Sequence, residues 1–310
     1  MNLPKPSLLL VDDEERILRS LAMLFRGQYQ VHATTDPHEA IALVQRAPVH
    51  VVVSDQKMPV MRGAELLRQV RERSPNTMRI LLTGYSELEA VVASVNEGEI
   101  FRYVNKPWDA AELRSTVDQA AQIALGLFAA PAGAAEAAPA AAPTAGEGIL
   151  VIDDDREVFE VVQEIVGASQ PVHWAQSLEQ AFERLEREAV GVIVSELTVR
   201  GESLTAALKL LKAHHPEVVT IVATPFQDTS VLIDLINQGQ IYRFITKPIV
   251  DNTLKIMVNS ALRQHGRLAQ TPQLHRRYEV APAPEPPPAS AGGRLLERIR
   301  SLRSWVTRRP

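Results

Sequence analysis

The heptapeptide LLLVDDE at residues 8–14 returns 141 positions later as ILVIDDD at residues 149–155. Each copy is a short apolar run that ends in acidic residues. The same offset holds further along the chain, where NEGEIFRYVNKP at residues 96–107 returns as NQGQIYRFITKP at residues 237–248. A repeat of this length without a net insertion indicates one duplicated domain.

Length and composition agree with two folded units. The chain has 310 residues, 45% of them hydrophobic, and we expect two domains of about 120 residues each. Because there is no cysteine, disulfides and thiolate metal sites are excluded, which suits a reducing cytoplasm. The first residues contain no long apolar segment, so we predict an unsecreted protein in the cytoplasm.

Short apolar runs alternate with helical patterns in the first repeat. The helical patterns begin at the capping residues Asp36, Ser86 and Asp109. The runs typical of strands are residues 8–11, 31–33, 51–54, 80–82 and 101–104. Such alternation predicts a parallel sheet with right-handed crossovers. We therefore predict the α/β class, with five strands and helices on both faces in each repeat.

Reactive side chains follow four of these strands. They are Asp12, Asp13, Asp55, Thr83 and Lys106. Because the carboxyl ends of parallel strands meet at one edge of the sheet, these side chains should converge there. A cluster of carboxylates needs a cation to stay ionised, and an oxygen-only ligand set favours Mg²⁺. Lys106 would balance the remaining charge.

At these positions both repeats resemble the receiver domains of bacterial two-component response regulators, which have a flavodoxin-like (βα)5 fold. That motif comprises an acidic pair after strand one, an aspartate after strand three, Thr or Ser after strand four and Lys-Pro after strand five. The first repeat matches it throughout. The resemblance implies that Asp55 accepts a phosphoryl group and that Asp12, Asp13 and Asp55 hold Mg²⁺, with the Lys57 carbonyl as a further ligand.

The resemblance also implies roles beyond the metal site. Thr83 and Lys106 would contact the phosphoryl oxygens, where positioning and charge neutralisation supply most of the rate. Tyr103 stands at the family's switch-aromatic position, although an aromatic in a strand is equally typical of plain packing. The stretches 81–85 and 99–108 further resemble receivers attached to hydrogenase-type regulators and to HD-GYP phosphodiesterases.

The second repeat keeps the scaffold but changes one decisive residue. Its equivalent positions are Asp153, Asp154, Glu196, Thr224 and Lys247, so glutamate replaces the phosphoacceptor aspartate. The longer side chain displaces the carboxylate, and a misplacement of about 1 Å can cost about a hundredfold in rate. Three interpretations stay open: a charge that pairs with Lys247 and imitates phosphorylation, a structural residue in a docking or dimerisation domain, and phosphorylation of the glutamate itself.

Composition divides the chain further. Residues 263–310 carry ten arginines and three glutamates, so a basic tail follows acidic domains. The Ala/Pro-rich stretch between the repeats cannot build a core. We predict a phosphorylatable receiver at 1–125, a linker at 126–147, a degenerate pseudo-receiver at 148–266, a disordered Pro-rich segment at 267–293 and a basic amphipathic helix at 294–307.

The C-terminal helix has three candidate partners. Leu295, Ile299, Leu302 and Val306 fall near one helical face, with arginines elsewhere around it. An acidic protein groove ranks first and an anionic membrane surface second. Nucleic acid ranks last because no helix-turn-helix pattern or aromatic-basic platform accompanies the arginines. A frayed helix without a partner is the alternative.

The chain shows no motif of an enzymatic or DNA-binding output domain. We therefore expect a non-enzymatic response regulator in a phosphorelay, which a sensor histidine kinase or phosphotransfer protein phosphorylates at Asp55. It would signal through contacts with a downstream protein or as a homodimer. A phosphate sink or relay station, and a membrane-associated scaffold held by the C-terminal helix, are the alternatives.

Overall fold

The computed structural model describes residues 5–84, 96, 100–129, 147–225, 233–239, 241–249, 251–270, 275 and 297–300. The chain forms two compact units. Unit 1 comprises Met1–Ala132 together with Asp228–Asn237, and unit 2 comprises Gly133–Gln227 together with Gln238–Pro310. Residues 233–237, the described part of the second stretch of unit 1, therefore come from the second repeat.

Unit 1 is built on a five-stranded parallel sheet. In chain order its elements are β1 (Ser7–Val11), α1 (Glu15–Phe25), β2 (Gln30–Thr34), α2 (Pro37–Arg46), β3 (Val51–Asp55), α3 (Gly63–Arg73), β4 (Met78–Thr83), β5 (Arg102–Asn105) and α4 (Ala110–Ala129). The strand order is β2-β1-β3-β4-β5, and every neighbouring pair is parallel. This is the doubly wound arrangement predicted from the sequence.

The positions of the strands and helices follow from local chemistry. Every residue of β1, β3 and β4 is buried, as expected of strands covered on both faces. Asp36 caps α2 by accepting a hydrogen bond of 2.8 Å from His38 N, and Asp109 caps α4 by accepting from Ala111 N and Glu112 N. The helix predicted to begin at Ser86 lies outside the described residues.

Unit 2 repeats this architecture and adds a hairpin. Its elements are β6 (Gly148–Ile152), α5 (Arg156–Val166), β7 (Val172–Ala175), α6 (Leu178–Arg187), β8 (Val190–Ser195), β9 (Thr198–Val199), β10 (Glu202–Ser203), α7 (Thr205–His214), β11 (Val219–Thr224), β12 (Arg243–Thr246) and α8 (Asp251–Gln270). The parallel strand order is β7-β6-β8-β11-β12, while β9 and β10 pair antiparallel. Before β12 in the chain, Leu235–Gly239 forms one π-helical turn, whose residues up to Asn237 belong to unit 1. The predicted fold class is thus confirmed in both repeats.

The described part of the C-terminal segment packs on α6. Residues 297–300 are helical, and the side chain of Ile299 is fully buried. Arg298 pairs with Glu179 and Glu186, and its guanidinium lies 4.9 Å from the centre of the Phe182 ring. The basic segment therefore contacts acidic and aromatic side chains of its own unit.

None of the helices in the described ranges has the length and apolar character that a membrane-crossing helix requires.

Candidate functional site

The predicted site residues of unit 1 lie at the carboxyl edge of its sheet. Asp12 directly follows β1, Asp55 ends β3, Thr83 ends β4 and Lys106 directly follows β5. The strand register pairs Asp55 with Leu82 and Thr83 with Asn105, so the ends of the three strands are level. The fold thus brings residues that are distant in sequence to one place.

Three carboxylates form a cluster at this edge. One carboxylate oxygen from each of Asp12, Asp13 and Asp55 lies within 4.8 Å of the others. The ammonium nitrogen of Lys106 lies 2.6 Å from Oδ1 of Asp55 and 3.2 Å from Oδ2 of Asp12. Asp12 and Asp55 are buried, whereas Asp13 is exposed. The cluster is therefore open to solvent through Asp13.

Backbone amides hold the two buried carboxylates in place. Glu14 N donates a 2.9 Å hydrogen bond to Oδ1 of Asp12, and Lys57 N donates one of the same length to Oδ2 of Asp55. Both oxygens of each carboxylate are thus engaged by a donor. This fixes the direction in which each carboxylate points, which a nucleophile and a metal ligand both require.

Burial and neighbouring charges shift the pKa values of two groups in the site. Burial raises the pKa of the Asp12 carboxyl above its usual value, although Glu14 N and Lys106 act in the opposite direction. Burial alone would lower the pKa of Lys106, but Asp55 and Asp12 outweigh it and raise that pKa. Lys106 therefore stays charged at neutral pH, as a group that neutralises anions must.

The carboxylate cluster has the chemistry of a magnesium site. Its donors are all oxygens, which suit a hard divalent cation, and three carboxylates carry more negative charge than Lys106 alone offsets. The exposed Asp13 leaves room for the waters that Mg²⁺ usually keeps. The residues present thus fit this ion.

Thr83 and Tyr103 are both buried in unit 1. The Thr83 hydroxyl lies at the end of β4, on the strand beside Asp55. Tyr103 lies in the middle of β5 and its ring is almost fully buried. Only two residues separate Tyr103 from Lys106, so the predicted switch residue lies on the strand that Lys106 directly follows.

Sequence reasoning missed two residues that support Asp55. Gln56 is buried and its side-chain carbonyl accepts a 3.0 Å hydrogen bond from Ala64 N at the start of α3. At Gly63 a Cβ atom would lie 2.0 Å from the Asp55 carbonyl oxygen, so only glycine permits α3 to begin this close. A comparison of the two repeats could have pointed to Gly63, because the second repeat has Leu204 at the equivalent position.

In unit 2 a similar ion-pair geometry surrounds a different acid. Lys247 Nζ lies 2.7 Å from Oδ2 of Asp153 and 2.9 Å from Oε2 of Glu196. The longer glutamate places its other oxygen 2.8 Å from the amide of Leu197, the very next residue. Thr224 is buried at the end of β11, as Thr83 is in β4. The fold brings together Asp153, Glu196, Thr224 and Lys247.

Asp154, in contrast, is drawn into the hairpin. Its carboxylate accepts a 3.1 Å hydrogen bond from Arg200 N, in a turn where Arg200 has a positive φ of 51° and Gly201 one of 79°. Among the described residues, the acids of the second repeat do not form a metal-binding group like that of unit 1. The loop that follows Glu196 thus uses the acid that would complete such a group.

Comparisons with known proteins agree with this geometry. The family model described as "Response regulator receiver domain" matches residues 8–118 and 149–259. The "Hydrogenase transcriptional regulatory protein HoxA" of Cupriavidus necator is 40% identical over 116 residues, which are 37% of this chain and 24% of that protein. The protein of the same name from Bradyrhizobium diazoefficiens is 31% identical over 209 residues, 67% of this chain and 41% of the relative.

A solved structure resembles one repeat. The signal receiver domain of an HD domain-containing protein from Pseudomonas fluorescens is 36% identical, covers 41% of this chain and 95% of its own, and has a TM-score of 0.40. This chain spans less than half the length of the two HoxA relatives. Because the family model covers most of the sequence in two copies, the chain belongs to the response regulator receiver domain family of two-component signalling.

Proposed function

We propose that the chain is a response regulator that accepts a phosphoryl group on Asp55 and passes the signal on through protein contacts. The observation that carries this proposal is the cluster of Asp12, Asp13 and Asp55 with Lys106 at 2.6 Å from Asp55. The phosphoryl donor would be a sensor histidine kinase or a phosphotransfer protein. We place the reaction in the cytoplasm.

The chemistry assigns a step to each side chain. An Asp55 carboxylate oxygen attacks phosphorus, the bond from phosphorus to the donor nitrogen breaks, and the product is an acyl phosphate on Asp55. Asp12, Asp13 and Asp55 would hold Mg²⁺, and the bound ion would supply neutralisation of charge on the phosphoryl oxygens. Lys106 then exchanges its contact with Asp55 for the transferred phosphoryl group, and the Thr83 hydroxyl donates to another of its oxygens.

The second receiver is proposed as a domain that does not take up phosphate. Its Glu196 carboxylate is held by Lys247 and by Leu197 N, and Asp154 is engaged by Arg200 N. The pair of Glu196 and Lys247 places a negative charge beside the lysine without phosphorylation. We therefore assign the chemistry to unit 1 and a structural or docking role to unit 2.

The output is proposed to run through a protein partner. The HoxA relatives are named transcriptional regulators, and this chain matches only 24% and 41% of their lengths. We propose that phosphorylation changes the affinity of unit 1 for a partner protein and that the chain itself is not an enzyme.

Labelling with acetyl phosphate tests the assignment of Asp55. In the presence of Mg²⁺ the full chain should take up one phosphoryl group, and Asp55→Asn should abolish the uptake. Glu196→Gln is the matched control and should leave it unchanged. Stoichiometric labelling of Asp55→Asn would refute the proposed acceptor.

A further inference from the structure

A side chain of the second repeat is bonded to the edge strand of unit 1. The Asn237 carboxamide accepts a 2.8 Å hydrogen bond from Tyr103 N and donates a 2.7 Å hydrogen bond to Tyr103 O. These residues are 134 positions apart in the sequence. One amide side chain thus satisfies both backbone groups of one residue.

The geometry explains why an asparagine fits this position. β5 is an outer strand of the sheet, and the backbone groups of successive strand residues point alternately to its two sides. Edge strands expose unpaired N–H and C=O groups, which a further strand could pair with. The Asn237 carboxamide carries one acceptor and one donor group. It can therefore pair with the backbone of Tyr103 in the way that a residue of a neighbouring strand would.

The segment around Asn237 is apolar and buried. Residues 233–237 belong to unit 1, and within them the side chains of Ile233, Leu235 and Ile236 are each less than 5% exposed. Burial of such side chains supplies the attraction, whereas the two hydrogen bonds of Asn237 fix the position along β5. A specific docking surface combines these two components, which are apolar burial for affinity and hydrogen bonds that fix the position of the bound segment.

We propose that the β5 edge at Tyr103 is a docking surface and that its occupant is the segment Ile233–Asn237 of the second repeat. Lys106, three residues after Tyr103, lies about 10 Å further along the chain and contacts Asp55. We expect a shift of Lys106 toward a phosphoryl group to move β5, the strand to which the Asn237 side chain is hydrogen-bonded. The segment is an internal reader of Asp55, and this last step rests on the function proposed above.

The first repeat offers a matched control. Asn96 stands at the position equivalent to Asn237, so either asparagine has the chemistry to pair with Tyr103. Hydrogen–deuterium exchange of the full chain, resolved to the Tyr103 amide, distinguishes them. Asn237→Ala should accelerate this exchange by about tenfold, because the amide loses its acceptor, and Asn96→Ala should leave it unchanged.

The other outcomes overturn the docking proposal. Acceleration in Asn96→Ala alone would assign the edge to the first repeat, and equal acceleration in both variants would indicate general loosening. Unchanged exchange in both variants would show that neither side chain protects Tyr103. Asn237→Asp, which keeps an acceptor for Tyr103 N, should accelerate exchange less than Asn237→Ala does, and equal acceleration contradicts the bonded geometry.

The reading step is tested on the same amide after phosphorylation. With acetyl phosphate and Mg²⁺, exchange at Tyr103 should accelerate at least about threefold in the wild type and stay at its already fast rate in Asn237→Ala. Unchanged exchange in wild-type chains that carry label on Asp55 would overturn the reader role while the acceptor role stands. Failure of the labelling itself would instead refute the proposed function and leave the docking result valid.

Discussion

Lys247 Nζ lies 2.9 Å from a carboxylate oxygen of Glu196, close to the 2.6 Å that separates Lys106 from Asp55. The second repeat has therefore kept the ion pair of the first while changing its acid. The ion pair is thus not what distinguishes the two sites. The differences lie in the length of the acid and in the hairpin that follows it.

Shortening Glu196 should not restore phosphate uptake. In an Asp55→Asn background, Glu196→Asp should take up less than about a tenth of the label that wild-type Asp55 takes up. The reason is that Asp154 still accepts from Arg200 N, and that the described acids of the second site do not come together as a metal-binding group. Acetyl phosphate labelling measures this, and full labelling would show that side-chain length alone disables the site.

Magnesium affinity should depend on pH through Asp12. Burial raises the pKa of this carboxyl, so protons occupy it at a higher pH than they occupy an ordinary aspartate. Because a ligand must be ionised, the affinity should fall as the pH drops through the raised value, by up to about tenfold per pH unit. Calorimetric titration with Mg²⁺ between about pH 5 and pH 8 would show it. An affinity independent of pH over that range contradicts the prediction.

His265 should stabilise unit 2 in its protonated form. Its Nδ1 lies 2.8 Å from the Glu217 carbonyl oxygen and its Nε2 lies 2.5 Å from a Glu147 carboxylate oxygen, so both ring nitrogens act as donors. Burial alone would lower the pKa of His265, but Glu147 and the Glu217 carbonyl outweigh it and raise that pKa. Space for the ring comes from Gly191, where a Cβ would lie 2.6 Å from the imidazole.

The sign of this pH dependence follows from the raised pKa. The stabilisation is fully present below about pH 6.5, the ordinary value for histidine, and is lost as the pH rises through the folded-state value. Thermal unfolding of wild type and Glu147→Gln should therefore differ most at low pH and converge at high pH. A difference that grows with rising pH would disprove the protonated pair.

Reversing the charge of Arg298 should release the C-terminal segment from α6. Arg298 lies 2.7 Å from a Glu179 oxygen and 3.1 Å from a Glu186 oxygen, next to the buried Ile299. Because these pairs are partly exposed, Arg298→Glu should cost about 1 kcal/mol and accelerate amide exchange at Ile299 about fivefold.

A charge swap provides the control for that prediction. Adding Glu179→Lys and Glu186→Lys to Arg298→Glu should restore slow exchange at Ile299, since the pairs re-form with opposite signs. Slow exchange in the single variant would mean that the apolar contact alone holds the segment. An anionic vesicle that protects Ile299 only in the variant would point to the membrane as a competing partner.

The fold was predictable because the central strands β1, β3 and β4 are apolar runs of the kind that a parallel sheet covered on both faces requires. The convergence of Asp12, Asp55 and Lys106 followed from the same reasoning, since strand ends meet at one edge. The β9–β10 hairpin was not predictable. It contains a left-handed turn at Arg200 and precedes Leu204, which stands at the position of Gly63, and the hydrophobic pattern does not report such a turn.

Contacts between distant residues escaped the sequence for a different reason. The periodicity of a segment shows that it has an apolar face, but not which surface that face will cover. The sequence therefore did not indicate that Asn237 contacts Tyr103, nor that Arg298 contacts Glu179. For the same reason the C-terminal helix was expected to seek an outside partner, whereas the described residues contact α6 of their own unit.

The pairing of Asn237 with Tyr103 also bears on how the protein behaves at high concentration. An unpaired outer strand is a template on which a second molecule can add a strand, and such additions lead to polymers. The carboxamide satisfies both outward groups of Tyr103 at the middle of β5 but offers no continuing backbone. It thus terminates the sheet, and we infer that a single asparagine protects this edge from aggregation.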